Sequence, residues 1–368
     1  MRLDSLRRVY TPGTEYYASV YLDLSRAGED AAEAVELRWP AAARQLSEAG
    51  AGQGTVSALG PLVTDPARSA PGVAAFARAD GAVAFAASLP NPPRREIHRY
   101  APLPHLMPLL AQRPPQAPHV QVRADRAGGE VVAVRTLDDV TKEEVAGSYW
   151  PVHKTSVGGW SQARYQRSTE EAWAENAKQL AEAVTTAAAQ IRAELIVVGG
   201  DIRARSLLLD HLSTPLREAA VIVDREVGAD SALMAEAAEE AVRARADAET
   251  RRWLGDFRAQ LGTGQATEGL AETLAVLRDG QASHVFIADD PSSTDHAWIG
   301  PEPAEVAASE AELRERGVEQ IAQDRADAAV VRAVAATDAE LHFIPDGEQP
   351  PRHGIGALLR YPVFPGQA

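Results

Sequence analysis

Between Glu144 and Glu170 lie 25 residues without an acid, in a chain whose formal net charge is −15. The interval contains the run His153-Lys154-Thr155-Ser156-Val157-Gly158-Gly159-Trp160-Ser161-Gln162-Ala163-Arg164-Tyr165-Gln166-Arg167. Cations without neighbouring carboxylates can neutralise phosphates, paired glycines let a backbone approach a ligand closely, and aromatic faces accept unstacked bases. Lys154, Gly158, Gly159, Trp160, Arg164, Tyr165 and Arg167 therefore read as a candidate RNA contact. The same residues also fit a plain loop with solvated arginines and a tryptophan folded into a core, and composition alone leaves both readings open.

A probing loop needs rigid elements behind it. The spacing predicts a helix over about 169–193, with Trp173, Ala177, Leu180, Val184, Ala188 and Ile191 forming one apolar stripe at steps of three and four. Ser168 or Thr169 can cap it, and Glu170 and Glu171 would sit in its first turn, where carboxylates are favoured. Strand-like segments at 119–122 and 130–134 precede the loop, and further strands at 195–198 and 220–224 follow the helix. Strand, helix and strand in succession imply an α/β sandwich. Gly199-Gly200-Asp201 lies at a strand end but lacks the spacing of a dinucleotide fingerprint or a P-loop, so it reads as a turn.

The segment Gly-Gly-Trp-Ser-Gln-Ala-Arg-Tyr-Gln-Arg resembles the loop and helix start of the archaeal and eukaryotic class-one peptide-chain release factors, which read Gly-Gly-Gln-Ser-x-x-Arg-Phe-x-Arg. Ser161, Arg164, Tyr165 and Arg167 fall in register with that pattern. The resemblance is greatest to the bacterial branch, which includes peptidyl-tRNA hydrolases related to the eukaryotic quality-control factor Vms and the hibernation factor Balon. In the release factors the glutamine after the two glycines orients water at the peptidyl ester. Trp160 stands there in this chain, and Gln162, two residues later, is the only candidate catalytic residue the resemblance leaves.

At 368 residues the chain exceeds one comfortable core, and three blocks separate along it. Block 1–116 carries strands at 16–23, 82–87 and 96–100 and an alanine-rich helix at 31–49, and it ends at Pro114-Pro115-Gln116-Ala117-Pro118, which can continue neither a helix nor a central strand. Block 117–228 holds the glycine pair. Block 229–368 opens with a long helix at 230–261, continues with a helix at 266–277 and strands at 284–288, 339–344 and 356–361, and reads as a small α/β/α domain. Gly264-Gln265-Ala266-Thr267-Glu268-Gly269-Leu270 and Gly354-Ile355-Gly356-Ala357-Leu358-Leu359-Arg360-Tyr361 resemble positions of the third release-factor domain, itself similar to kink-turn-binding ribosomal proteins. The expected fold is thus α/β, a three-domain release-factor-like architecture with mixed-sheet N-terminal and middle domains.

Other chemistry finds little support. Cysteine is absent, which removes disulfides, thiolate metal sites and cysteine nucleophiles. Nine histidines are scattered without a zincin, esterase or Ser-x-x-Lys motif. Asp289, Asp290, Asp295 and His296 share a loop without a regular ligand pattern and read as a polar surface loop, so no metal and no cofactor is expected. Arg94-Arg95, His98-Arg99 and Arg251-Arg252 read as surface charge. The first residues lack an apolar signal core and no run approaches membrane-spanning length, so a cytoplasmic protein is expected.

What the resemblance implies is a monomeric factor that binds ribosomal RNA in the A site, reaches the peptidyl-transferase centre and associates with elongation factor Tu, without DNA or membrane partners. Because Trp160 replaces the glutamine, a hibernation role ranks above peptidyl-tRNA hydrolysis in ribosome rescue. A stress-related α/β protein that never meets the ribosome is the remaining alternative.

Overall fold

In the computed structural model, which describes residues 1–10, 16–25, 31–65, 70–113, 117–136, 139–146, 159–223 and 231–362, the first long apolar run is strand β1 (Tyr17–Asp23), covered on both faces. Ala18, Val20 and Leu22 meet helices α1 (Ala31–Glu48) and α2 (Gln53–Val63) through Ala42, Leu46, Leu59 and Val63, while Tyr21 joins a second core on the other side. Strand β2 (Gly72–Arg78) repeats the division, with Val73, Ala75 and Ala77 toward the helices and Ala74 and Phe76 opposite. Side chains alternate with period two, so a strand covered on both faces shows no polar alternation in its sequence. Strands β3 (Val83–Leu89) and β4 (Ile97–Ala101) complete an antiparallel sheet of order β3-β2-β1-β4, and α3 (Met107–Gln112) follows.

Pro114–Ala248 form a compact unit of their own. Its elements are β5 (His119–Asp125), β6 (Gly128–Thr136), β7 (Asp139–Ala146), α4 (Gly159–Ile191), β8 (Leu195–Gly200), α5 (Ile202–His211), α6 (Thr214–Glu218), β9 (Ala220–Ile222) and the first part of α7 (Ser231–Gln260). The sheet runs β7-β6-β5-β8-β9, with β5, β8 and β9 parallel and the β6 and β7 pairings antiparallel. Val120, Val122, Ala124, Ile196 and Val198 pack against Leu180, Val184 and Ala188 of α4 and Leu208 of α5. Leu195 and Val197, one residue out of phase, meet Met234, Ala237, Ala238 and Val242 of α7 on the opposite face. A Cβ on Gly129 would come within 2.5 Å of the Arg123 carbonyl oxygen and 2.8 Å of Leu180, so the glycine lets α4 lie close on β6.

One expectation changes here. Helix α4 begins at Gly159, ten residues before the predicted start, and Ser168 and Thr169 lie inside it rather than capping it. From Gly159 to Ser168 the sequence has neither a β-branched residue nor a proline, and Gln162, Ala163, Arg164, Gln166 and Arg167 are good helix formers, so nothing interrupts helix propagation.

The remainder comprises β10 (Ala266–Glu268), α8 (Leu270–Arg278), β11 (Ala282–Ile287), β12 (His296–Ile299), β13 (Val306–Ala307), α9 (Glu310–Glu315), β14 (Ala322–Arg325), α10 (Ala326–Thr337), β15 (Glu340–Phe343) and β16 (Ile355–Leu359). One sheet has the order β10-β16-β11-β15 and a smaller one β13-β12-β14. The predicted helix at 266–277 starts later, at Leu270, because Ala266-Thr267-Glu268 pair with β16. Helix α10 is buried from Ala328 to Ala335, which its alanine and valine content permits.

Met1–Arg113 and Glu249–Ala368 together make the second compact unit. Leu3, Leu6, Tyr21, Phe76, Leu106 and Leu110 share a core with Leu274, Val285, Val330, Val331 and Leu341. Blocks 1–116 and 229–368, separate in the sequence reading, thus contribute to one body. Ion pairs join them. Arg99 bonds Asp324, whose side chain is fully buried and also accepts the Leu103 amide at 2.7 Å; Arg94 meets Asp289 at 3.0 Å. Burial pushes the Asp327 carboxyl up, but hydrogen bonds from His105 and Arg325 outweigh it and hold the group well below the usual carboxylate range. Arg99, expected as surface charge, is therefore structural, whereas Arg94 stays largely exposed beside Asp289.

Candidate functional site

The acid-free interval is only partly described. Lys154 and Gly158 lie outside the described residues, whereas Gly159, Trp160, Gln162, Arg164, Tyr165 and Arg167 occupy the first turns of α4. No acid falls in that first turn. The positive end of the helix dipole and the arginines at 164 and 167 therefore have the same sign, with no carboxylate between them.

Helical geometry sorts these positions. At about 100° per residue, positions 160, 164 and 167 fall within about 60° of one another, and position 162 lies about 200° from 160. Farther along, Asn176, Ala177, Leu180, Ala181, Val184, Ala187 and Ala188 form the buried side of α4. Continued back to the start, that side runs through position 162 and opposite 160, 164 and 167. Positions 160, 164 and 167 therefore fall on one side of the helix and position 162 on the other.

A polar cluster at the carboxyl end of β5 and β8 fixes the helix that carries them. Strand β8 ends at Gly200, whose φ of 104° and close fit exclude a side chain: a Cβ would stand 2.0 Å from the Ala124 carbonyl oxygen. Asp201 then caps α5, accepting the amides of Arg203 at 3.0 Å and Ala204 at 3.1 Å, and its other oxygen pairs with Arg126 at 3.1 Å. The guanidinium groups of Arg126 and Arg203 both lie over the Trp173 ring of α4, at 5.0 and 5.3 Å from its centroid. Arg203 also bonds Glu170 at 2.9 Å, and buried Asn176 donates to the Arg126 carbonyl at 3.1 Å. Trp173 was legible as part of an apolar stripe; its cationic neighbours were not, because Arg126 and Arg203 are 47 and 30 residues away. Gly199-Gly200-Asp201 is the expected turn, with the cap as its additional purpose.

Burial raises the Asp201 carboxyl, but the Ala204 amide and Arg126 more than offset this, leaving it below its ordinary value. A carboxyl depressed in the folded state stabilises above its unfolded value, near 3.9, and stops doing so as pH falls through the folded one. Asp201→Ala is expected to cost about 1–2 kcal/mol at pH 7. In urea titrations the gap between wild type and variant should begin to narrow below about pH 4 and close as the pH falls through the folded value; a gap that does not narrow would assign the effect to packing instead.

The segments 264–270 and 354–361 singled out in the sequence also meet, since Ala266, Thr267 and Glu268 pair with Leu358, Ala357 and Gly356. Among the described residues, no helix is long and apolar enough to cross a membrane.

The sequence profile of the bacterial archaeo-eukaryotic release factor family 2 matches residues 118–263, the interval that contains the glycine pair, α4 and the Trp173 cluster. An uncharacterised protein of Mycobacterium tuberculosis is 30% identical over 94% of this chain and 93% of its own length. The chain is a bacterial relative of the archaeal and eukaryotic release factors. Solved structures similar to this release-factor relative include an archaeal translation termination factor, at 14% identity, TM-score 0.24, 98% of this chain and 96% of that one. Pelota of Archaeoglobus fulgidus is another, at 13% identity, TM-score 0.36, 98% of this chain and 93% of that one. In this release-factor relative the profile match is centred on the unit 114–248, where the site residues lie.

Proposed function

We propose that this chain is a cytoplasmic, ribosome-binding translation factor that occupies the A site, with residues 154–167 reaching the peptidyl-transferase centre, and that it acts as a hibernation factor with elongation factor Tu as a partner. The observation that carries this reading is the start of α4, where positions 160, 164 and 167 lie on one side of the first two turns, which hold no acid. Arginines on that side, with Lys154, suit rRNA phosphates, and an indole suits a splayed base. Hydrolysis of the peptidyl ester needs a side chain that positions water at the reacting carbon. Tryptophan has no group for that task, and position 162 lies about 200° around the helix from position 160, which favours a plug over a hydrolase.

Gln162 supplies a second reading, peptidyl-tRNA hydrolysis in rescue, and one experiment separates the two. The full chain is expected to sediment with vacant ribosomes, release no peptide from ribosome-bound peptidyl-tRNA, and lose occupancy on Trp160→Ala. Peptide release by wild type that vanishes in Gln162→Ala would install the hydrolase reading. A chain that never sediments with ribosomes would overturn both.

A further inference from the structure

The sheet β10-β16-β11-β15 carries a cluster that the ribosomal reading does not use. His284 on β11 stands opposite Glu340 on the parallel strand β15, and His342 follows two residues along, on the same face as Glu340. Nδ1 of His284 and Nε2 of His342 are 3.0 Å apart. One ligand atom from each of the three residues lies within 4.8 Å of the other two.

We propose that His284, Glu340 and His342 form a site for a divalent transition metal, with Zn2+ the best fit. Two imidazoles and a carboxylate are a common zinc donor set, leaving a fourth position open. Tetrahedral coordination at zinc–nitrogen distances of about 2.0–2.1 Å places two ligand nitrogens roughly 3.3 Å apart. The observed pair needs to open by only a few tenths of an ångström.

The surroundings fit the requirement that ligating imidazoles be neutral and oriented from behind. His342 is buried and His284 partly buried. Thr250 Oγ1 lies 3.4 Å from His342 Nδ1, where it can accept that proton and leave Nε2 free to coordinate. Trp253 stacks on His284 with ring centroids 4.0 Å apart, and its buried indole N–H has no hydrogen-bond partner among the described residues. The proton between the two histidines relocates to Nε2 of His284 on coordination. Arg2, bonded to Glu340 at 3.2 Å, and the part-buried Met1 ammonium, which also interacts with Glu340, are the competing cations; Arg2 is largely exposed, so displacing it costs little.

Tag-free full-length protein, stripped with chelator and titrated with Zn2+ alone, is expected to take up one equivalent and to gain thermal stability. Co2+ should give the visible absorption of a four-coordinate site. His284→Ala and Glu340→Gln, both at partly exposed positions, should each weaken Zn2+ at least about tenfold, while His98→Ala leaves uptake unchanged. Absence of saturable uptake by folded wild type, or uptake that survives both substitutions, would overturn the site. Ribosome sedimentation is a separate readout, so failure here leaves the translational reading standing.

Discussion

Replacing Lys154, Arg164 and Arg167 together with alanine is expected to weaken ribosome association by about 100-fold near physiological salt. Each phosphate contact releases condensed counterions, so three lost contacts should flatten the plot of log affinity against log salt by roughly 2–3 units. The slope matters more than the affinity, because a fold defect would reduce binding without removing its salt dependence. A triple variant that keeps the wild-type slope at every salt concentration would remove residues 154–167 from the RNA interface. Trp160→Ala should behave differently, lowering affinity while leaving the slope intact, since stacking releases no counterions.

Asp324→Ala is expected to destabilise the unit formed by the two ends of the chain by about 3–5 kcal/mol. The carboxylate is fully buried and serves Arg99 and the Leu103 amide together. Its removal leaves a guanidinium and an N–H without their acceptor. Asp324→Asn, which keeps one carbonyl oxygen, should cost less. Urea denaturation followed at that unit would decide, and a loss under about 1 kcal/mol would mean that Arg99 finds solvent instead.

Strands and helices with strong local patterns were legible in the sequence. Tyr17–Asp23, Ala31–Glu48, Leu195–Gly200 and Ser231–Gln260 lie within a residue or two of their predicted ranges. The Gly-Val-Ala-Ala-Phe-Ala-Arg stretch of β2 escaped notice because burial on both faces erases alternation. The start of α4 was misplaced because Gly158-Gly159 and Ser168-Thr169 are both strong local signals, and the second pair turned out to lie within a continuing helix. At the candidate site the cationic residues were visible as a local excess of charge. Their arrangement depended on where the helix began. Pairings such as Arg99 with Asp324, or His284 with His342, join residues 225 and 58 positions apart, and no local pattern announces them.

The unit built from Met1–Arg113 and Glu249–Ala368 has a consequence for synthesis of the chain. Leu3, Leu6, Val9 and Tyr10 find their partners in Val330, Val331 and Val334 only after residues beyond 330 have been made. At translation rates of about 5–20 residues per second, the first 113 residues wait roughly 10–45 s for those partners. The inserted unit 114–248, by contrast, can close its own sheet while the ribosome is still adding the rest. Between completion of residue 248 and that of residues 330–334, a nascent chain therefore carries a folded inserted unit while Leu3, Leu6, Val9 and Tyr10 still lack their partners, a window in which chaperone binding to those residues would be most useful.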